Sequence, residues 1–263
     1  LCSICVSSVA KTSHRLDQAL VARGLCESRE KAKRAVMAGL VRVNGQVARK
    51  TSDAVRESDV LELAATEKFV SRGGHKLEHA LTHFQLEVRD LTCADLGAST
   101  GGFTDCLLQH GAARVFAVDV GQGQLAWKLR NDPRVVVREK TNARELTVQK
   151  LGVRSEELGA GISFVVVDCS FISLRKILPA ANGLLASGGR IVALIKPQFE
   201  AGKAEADKGE GVITDPAVHA RVLAELEVFV RAELPSLAWR GVTESPLLGP
   251  AGNKEFLVLL ARV

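Results

Sequence analysis

The chain has 263 residues, 46% of them hydrophobic and 25% charged, with a net charge of +5 and a pI near 9.0. That length accommodates one large domain, or one domain and a small module, and the mild positive charge permits binding to a polyanion without requiring it. No apolar run approaches the roughly 18 residues of a membrane-spanning helix, and the apolar start of the chain lacks the basic residues of a signal peptide.

Residues 1–13 are mixed in character and are expected to be loosely ordered. Their Cys2-x-x-Cys5 pair has no second pair at zinc spacing, so no metal site is expected. Cys26, Cys93, Cys106 and Cys169 are scattered, which suits a reducing compartment, the cytoplasm. From His14 the pattern changes. Arg15-Leu16-Asp17-Gln18-Ala19-Leu20-Val21 puts Leu16, Ala19 and Leu20 on one helical face. Ser28 reads as the N-cap of a second helix that ends at Gly39, with Lys31 where a capping box usually carries Glu or Gln. Val41 to Val47 reads as strand, Asn44-Gly45 turn and strand. Between Lys11 and Lys50 stand ten basic and three acidic residues, a net of +7 that exceeds the charge of the whole chain. A basic helix beside a basic hairpin is an electrostatic footprint for nucleic acid, although a solvated helix face has the same appearance. Arg15-Leu16-Asp17, Ser28-Arg29-x-x-Ala32 and Gly39-x-Val41-x-Val43-Asn44-Gly45 resemble the S-four RNA-binding domain over residues 14–64. The resemblance implies a module that docks on structured RNA, with Arg15, Arg29, Lys31, Lys33, Arg34, Arg42 and Asn44 as candidate contacts.

Residues 65–69 read as a linker into a second domain, 70–263. Leu77, Ala80, Leu81 and Phe84 are at helical spacing. Lys76 opens that helix, where a cation opposes the helix dipole; it is either a solvent-facing side chain or one with another purpose. An apolar run from Leu91 to Leu96 then meets the turn Asp95-Leu96-Gly97-Ala98-Ser99-Thr100-Gly101-Gly102-Phe103, and a helical pattern continues to His110. The glycines let the backbone approach a ligand, and the helix start offers free N–H groups. The spacing is neither the dinucleotide fingerprint nor the P-loop. A second strand, Arg114 to Val118, ends in Asp119, an acid about 20 positions on and so placed to bind a ribose hydroxyl pair. Such an acid beside a turn without a phosphate-holding Lys suggests a nucleoside-bearing ligand that lacks a polyphosphate. S-adenosylmethionine fits, and an ordinary strand-to-helix turn is the alternative.

Strands then alternate with helices: strands at 134–138, 163–167, 189–195, 237–243 and 255–261, helices near 122–130, 142–151, 174–186 and 215–233. The fold class expected is α/β, a mostly parallel sheet with helices on both faces. In such sheets ligands bind at the carboxyl ends of strands. Asp168 and Lys196 end two fully apolar runs there, although an Asp at a strand end is often a helix cap. No His, Cys or Ser dyad is evident at the strand ends, which makes Lys196 the candidate base.

Ser71-Arg72-Gly73-x-x-Lys76-Leu77, the glycine turn with Thr104, Asp119-Val120-Gly121, Asp168-x-Ser170-Phe171, Lys196-Pro197-Gln198-Phe199-Glu200 and Gly252-Asn253-x-Glu255-Phe256 together resemble the TlyA family from about residue 14 onward. These are proteins with hemolysin names that are understood as ribosomal RNA 2′-O-methyltransferases. The resemblance implies a Rossmann-like class I methyltransferase sheet of FtsJ-like type behind the S-four module. It implies a catalytic tetrad of Lys76, Asp168, Lys196 and Glu255. It lays S-adenosylmethionine against Asp95, Gly97, Ala98, Ser99, Gly101, Gly102 and Phe103, with its ribose at Asp119 and Val120 and its adenine near Asn142. Gln122 stands where the family pattern leads one to expect an aromatic residue.

The function expected is methylation of a ribose 2′-hydroxyl in ribosomal RNA, with ribosomal RNA or ribosomal subunits as partner, no DNA and no membrane span. Two other readings compete with it: a membrane-active hemolysin, and an RNA-binding assembly factor whose methyltransferase site is inert.

Overall fold

A computed structural model of the chain describes residues 13–64, 68–152, 161–202, 205 and 209–263. The Cys2/Cys5 pair, residues 1–12 of the expected loose terminus and residues 65–67 of the expected linker lie outside these. The described residues fall into two compact units, 13–64 and 68–263.

In the small unit, β1 (Ser13–Arg15) runs directly into α1 (Leu16–Ala22), and α2 (Arg29–Met37) follows. The short strands β2 (Val41–Val43), β3 (Gln46–Val47), β4 (Ala54–Arg56) and β5 (Leu61–Leu63) complete it. β1 pairs with β4, while β2 lies between β3 and β5, all antiparallel. Leu16, Leu20, Ala32, Val36, Val41 and Val55 form its core. The Ser28 hydroxyl accepts the Lys31 N–H at 3.3 Å, as an N-cap should. Asn44 and Gly45, at φ +52° and +80°, give the hairpin the two left-handed residues that a type I′ turn requires.

The large unit is a seven-stranded sheet between helices. In chain order its elements are α3 (Gly73–His83), β6 (Thr92–Leu96), α4 (Gly102–Gln109), β7 (Arg114–Val118), α5 (Trp127–Arg130), β8 (Val135–Arg138), β9 (Ile162–Val167), α6 (Leu178–Leu184), β10 (Leu185–Ile195), α7 (Pro197–Glu200), α8 (Pro216–Glu233), β11 (Leu237–Glu244) and β12 (Phe256–Arg262). The order across the sheet is β11-β12-β10-β9-β6-β7-β8; β10 to β8 are parallel, and β12 and β11 add antiparallel at one edge. The central strands are apolar on both faces, as a doubly covered parallel sheet demands. Ala94, Leu96, Val165, Val167, Ile191 and Ala193 face a core closed by α6 and α8. Cys93, Phe164, Val166, Val192 and Leu194 face a second core closed by α3, α4 and α5.

The chain leaves β6 toward β7 and β8, then returns to lay β9 on the other side of β6. This reversal is the switch point at which an open α/β sheet leaves a crevice for a ligand.

Three expected helices are shorter than periodicity implies. Residues 120–126 are held as a loop: Gly121 N–H donates to Asp119, Gly123 N–H to Glu139, and Gly123 sits at φ +72°. Residues 142–151 form two single 3-10 turns, stopped at Gly152 with φ +70°. The third, 174–186, is a 3-10 turn followed by α6, and it ends where Leu185 pairs with Ile162.

Candidate active site

The crevice is built where the ends of β6 and β9 meet. Asp168 N–H donates to Leu96 O at 2.9 Å. Gly97, at φ +88°, lies so close that a Cβ there would fall 2.7 Å from Asp168 O. Only glycine accepts both the left-handed backbone and the contact. Ser99, at φ +49°, aims its N–H at Asp119 Oδ2, 2.8 Å away. Asp119 Oδ1 accepts Gly121 N–H at 2.7 Å, so its carboxylate is fixed by two backbone donors and keeps acceptor capacity on both oxygens.

Gly101, Gly102 and Phe103 are tightly packed, and Gly102 and Phe103 also line the site. A Cβ on Gly101 would meet Leu129 at 2.3 Å and Leu125 at 2.7 Å; one on Gly102 would meet Ser71 Oγ at 2.3 Å and Gly74 N at 2.9 Å. The Phe103 ring is buried and packs near Gly73. These residues bring α3, and with it Lys76, up against the turn.

Asp95 is wholly buried. Its Oδ2 accepts Thr104 N–H at 2.9 Å and Thr104 O–H at 2.7 Å, while Oδ1 has no partner. Burial raises this carboxyl to about 7; the charges of Asp168 and Asp119 add to the effect and the Thr104 bonds oppose it.

Two adjoining hollows open at the crevice. The larger, about 850 Å³, is lined by Gly97, Ser99, Asp119, Val120, Asn142, Asp168 and the segment Cys169–Ser173, among others. Asn142 accepts the Arg144 N–H at 3.1 Å and so caps the turn at the rim. The smaller, about 260 Å³, is lined by Asp95, Ala98, Gly102 and Phe103 and holds all of Lys76, Asp168, Lys196 and Glu255. Gly97, Ser99, Asp168 and Ser170 belong to both.

The four charged residues stand as two ion pairs. Lys76 Nζ pairs with Glu255 Oε2, across 179 positions of sequence. Lys196 Nζ lies 2.6 Å from Asp168 Oδ1 and donates to Ser170 Oγ at 2.8 Å. Lys76, Lys196 and Glu255 are buried, and Asp168 keeps about a quarter of its side chain exposed. Unpaired charges at that depth would be costly, and paired ones are held in one geometry. Cys169 also lines the larger hollow, but burial and then the Asp168 charge push its thiol up to about 12, so it is no nucleophile.

Several lining residues escaped the sequence reading as site members. Ser170 bonds Lys196. Phe171, at φ +62° and 90% exposed, stands on the rim with its ring 5.2 Å from that of Phe199. Both fall in the four residues that follow β9, Asp168-Cys169-Ser170-Phe171, and the pattern Asp168-x-Ser170-Phe171 is the signal that could have found them. Gln122 lines neither hollow; Gln124 does, and accepts the Ser99 hydroxyl at 3.3 Å.

In the small unit, α2 exposes Lys31, Lys33 and Arg34. Lys31 pairs with Glu27, and Arg42 donates to Gly45 O at 2.9 Å. The Asn44 amide is spent locally: Oδ1 accepts Val60 N–H at 2.9 Å and Nδ2 donates to Asp59 at 3.1 Å. Arg15 and Arg29 both bond Asp17.

The FtsJ-like methyltransferase family model matches residues 69–262, and the S4 domain model matches residues 14–61. Over 250 residues the chain is 48% identical to the 16S/23S rRNA (cytidine-2′-O)-methyltransferase TlyA of Mycobacterium tuberculosis, covering 94% of this chain and 89% of that protein. It is 40% identical over 245 residues to Hemolysin A of Brachyspira hyodysenteriae, covering 92% and 98%. A solved structure from Streptococcus thermophilus, provisionally named a hemolysin, superposes with a TM-score of 0.69 at 43% identity, covering 97% of this chain and 90% of that one. Among the described residues, no helix is long and apolar enough to cross a membrane.

Proposed function

The chain belongs to the FtsJ-like methyltransferase family, and we propose that it moves the methyl group of S-adenosylmethionine to a ribose 2′-hydroxyl of ribosomal RNA. The observation that carries this reading is the pair of hollows that share Asp168 and Ser170: one is large enough for a nucleoside and is lined by the carboxylate of Asp119, the other holds a tetrad of charges.

The residues present fit the methyl donor. Asp119 offers acceptor capacity for a ribose hydroxyl pair, Gly97 and Ala98 add little bulk to the lining, Asn142 and Val120 line the larger hollow with Asp119, and buried Asp95 Oδ1 is without a hydrogen-bond partner. When bound, S-adenosylmethionine supplies an electrophilic methyl on a sulfonium. The remaining chemistry belongs to the chain. Lys76, fixed by Glu255, orients the incoming ribose. Lys196 is the group placed to take the hydroxyl proton at Nζ, with Asp168 at 2.6 Å to stabilise the ammonium. The basic face of the small unit, with Arg15, Arg29, Lys31, Lys33, Arg34 and Arg42, supplies phosphate contacts. The hemolysin reading is supported by relatives' names and by no feature described above.

Lys196→Ala is expected to lower methyl transfer by about 10²-fold or more while cofactor affinity stays within a few fold. Lys196→Arg should be as inactive, because a guanidinium does not act as a base near neutral pH. An active Lys196→Arg enzyme would show that the cation only positions the ribose and that proximity does the rest.

A further inference from the structure

We propose that Asp17 turns Arg15 and Arg29 into a single preorganised site for one phosphodiester of RNA, in which the carboxylate is a positioning residue and the two guanidiniums make the contact. This rests on the reading of the small unit as the RNA-binding part. The sequence treats Asp17 as one of three acids that dilute a basic segment. The structure gives it a different place: it lies in the first turn of α1, 5% exposed, with both arginines closing on it.

Asp17 Oδ1 accepts Arg15 Nε–H at 3.1 Å and the Gln18 N–H at 3.1 Å. Oδ2 accepts Arg29 Nη2–H at 2.7 Å, Arg29 Nε–H at 3.3 Å and Arg15 Nη2–H at 3.4 Å. Hydrogen bonds from Arg15, then from Arg29, hold the carboxyl at about 2, so it is ionised throughout the physiological range. Each guanidinium has five N–H groups in a planar fork and spends two on Asp17. The other three point away from the carboxylate, on side chains that are 47% and 58% exposed. Arg23 is the contrast: its guanidinium is spent on the carbonyls of Arg56, Glu57 and Asp59, as a brace within the unit.

Charge counting alone makes Asp17 a liability, because it cancels one positive charge on a surface meant for a polyanion. Preorganisation gives it a use. An arginine side chain carries about 2 kcal/mol of rotamer entropy, lost when it is immobilised. Here both are fixed before a ligand arrives. Two guanidiniums and one carboxylate leave a net of one positive charge, the complement of one phosphodiester, with forked donors that suit its two free oxygens.

The two views of Asp17 predict opposite signs. The test measures binding of the full chain to protein-free ribosomal RNA across a salt series. Asp17→Asn is isosteric and raises the net charge by one, yet it is expected to weaken binding about tenfold, through loss of the fork geometry. Arg15→Lys with Arg29→Lys, which leaves Asp17 and the charge intact, should weaken binding to a similar degree; it also decides the matter if the Asn variant lowers the helical signal or the melting temperature of the protein. Unchanged or tighter binding by a folded Asp17→Asn protein, or by the double Lys variant, would overturn the fork alone. A wild-type protein without measurable affinity for ribosomal RNA would overturn the RNA reading as well.

Discussion

Replacing Gly97 with Ala tests the geometry on which the site depends. Two costs can be read from the structure. The backbone sits at φ +88°, where an L-residue is disfavoured by about 1–2 kcal/mol. The new methyl would stand 2.7 Å from Asp168 O and 2.9 Å from Asp168 C. Both are backbone atoms of the residue that follows β9 and cannot swing aside, so overpacking adds about 1–3 kcal/mol. Gly188→Ala is the control: its φ is +70° with nothing within 4 Å, so it carries the backbone cost alone. For a domain of this size each kcal/mol lowers the melting temperature by about 2–4 °C. Calorimetry should therefore show Gly97→Ala melting several degrees below Gly188→Ala. Titration with S-adenosylmethionine should show weakened binding in the first and unchanged binding in the second. Equal melting temperatures with intact cofactor binding in Gly97→Ala would refute the claim that the glycine exists to let β6 and β9 meet.

Asp95 makes stability depend on pH. Burial holds its folded carboxyl at about 7, above the roughly 3.9 of an unfolded Asp, so the folded chain binds the proton more tightly. Its contribution is complete below about pH 4 and is lost as pH rises toward 7. In urea unfolding, Asp95→Asn should gain on the wild type by up to the order of 4 kcal/mol across that window; a difference independent of pH would mean the group is ionised throughout. Replacing Arg29, Lys31, Lys33 and Arg34 with Ala should weaken RNA binding and flatten its salt dependence while leaving cofactor affinity alone; an unchanged salt slope would remove α2 from the footprint. Gly183→Ala, on the exposed side of α6 with nothing within 4 Å, should stabilise the protein by about 0.5–1 kcal/mol in the same unfolding assay, and a loss of stability would contradict the open space seen there.

The parts legible in sequence are those that local physics specifies. β6, β7, β9 and β10 were visible because strands buried on both faces become unbroken apolar runs, and Asp168 and Lys196 were visible as charges ending them. The N-cap at Ser28 and the Asn44-Gly45 turn each depend on a few consecutive residues. What stayed hidden depends on topology. Nothing near Lys76 says that its partner is Glu255, because strand order alone brings α3 to the lead-in of β12. Gly101 and Gly102 read as ligand-facing; Gly102 does line the smaller hollow, and what the sequence hides is that both also stand where Leu125, Leu129 and Ser71 need room. Residues 122–126 have helical periodicity, but the backbone bonds of Gly121 and Gly123 to Asp119 and Glu139 hold them as a loop. Asp17 read as a diluting charge, because its two guanidiniums come from separate elements.

The most direct test of the account is to incubate the protein with methyl-labelled S-adenosylmethionine and, separately, ribosomal subunits and protein-free ribosomal RNA, then to digest the RNA to nucleosides and locate the methyl by mass. Label is expected in the RNA, on a ribose 2′-oxygen, and reduced about 10²-fold or more with Lys196→Ala. Label on a base, label confined to protein, or no label with either substrate would contradict it.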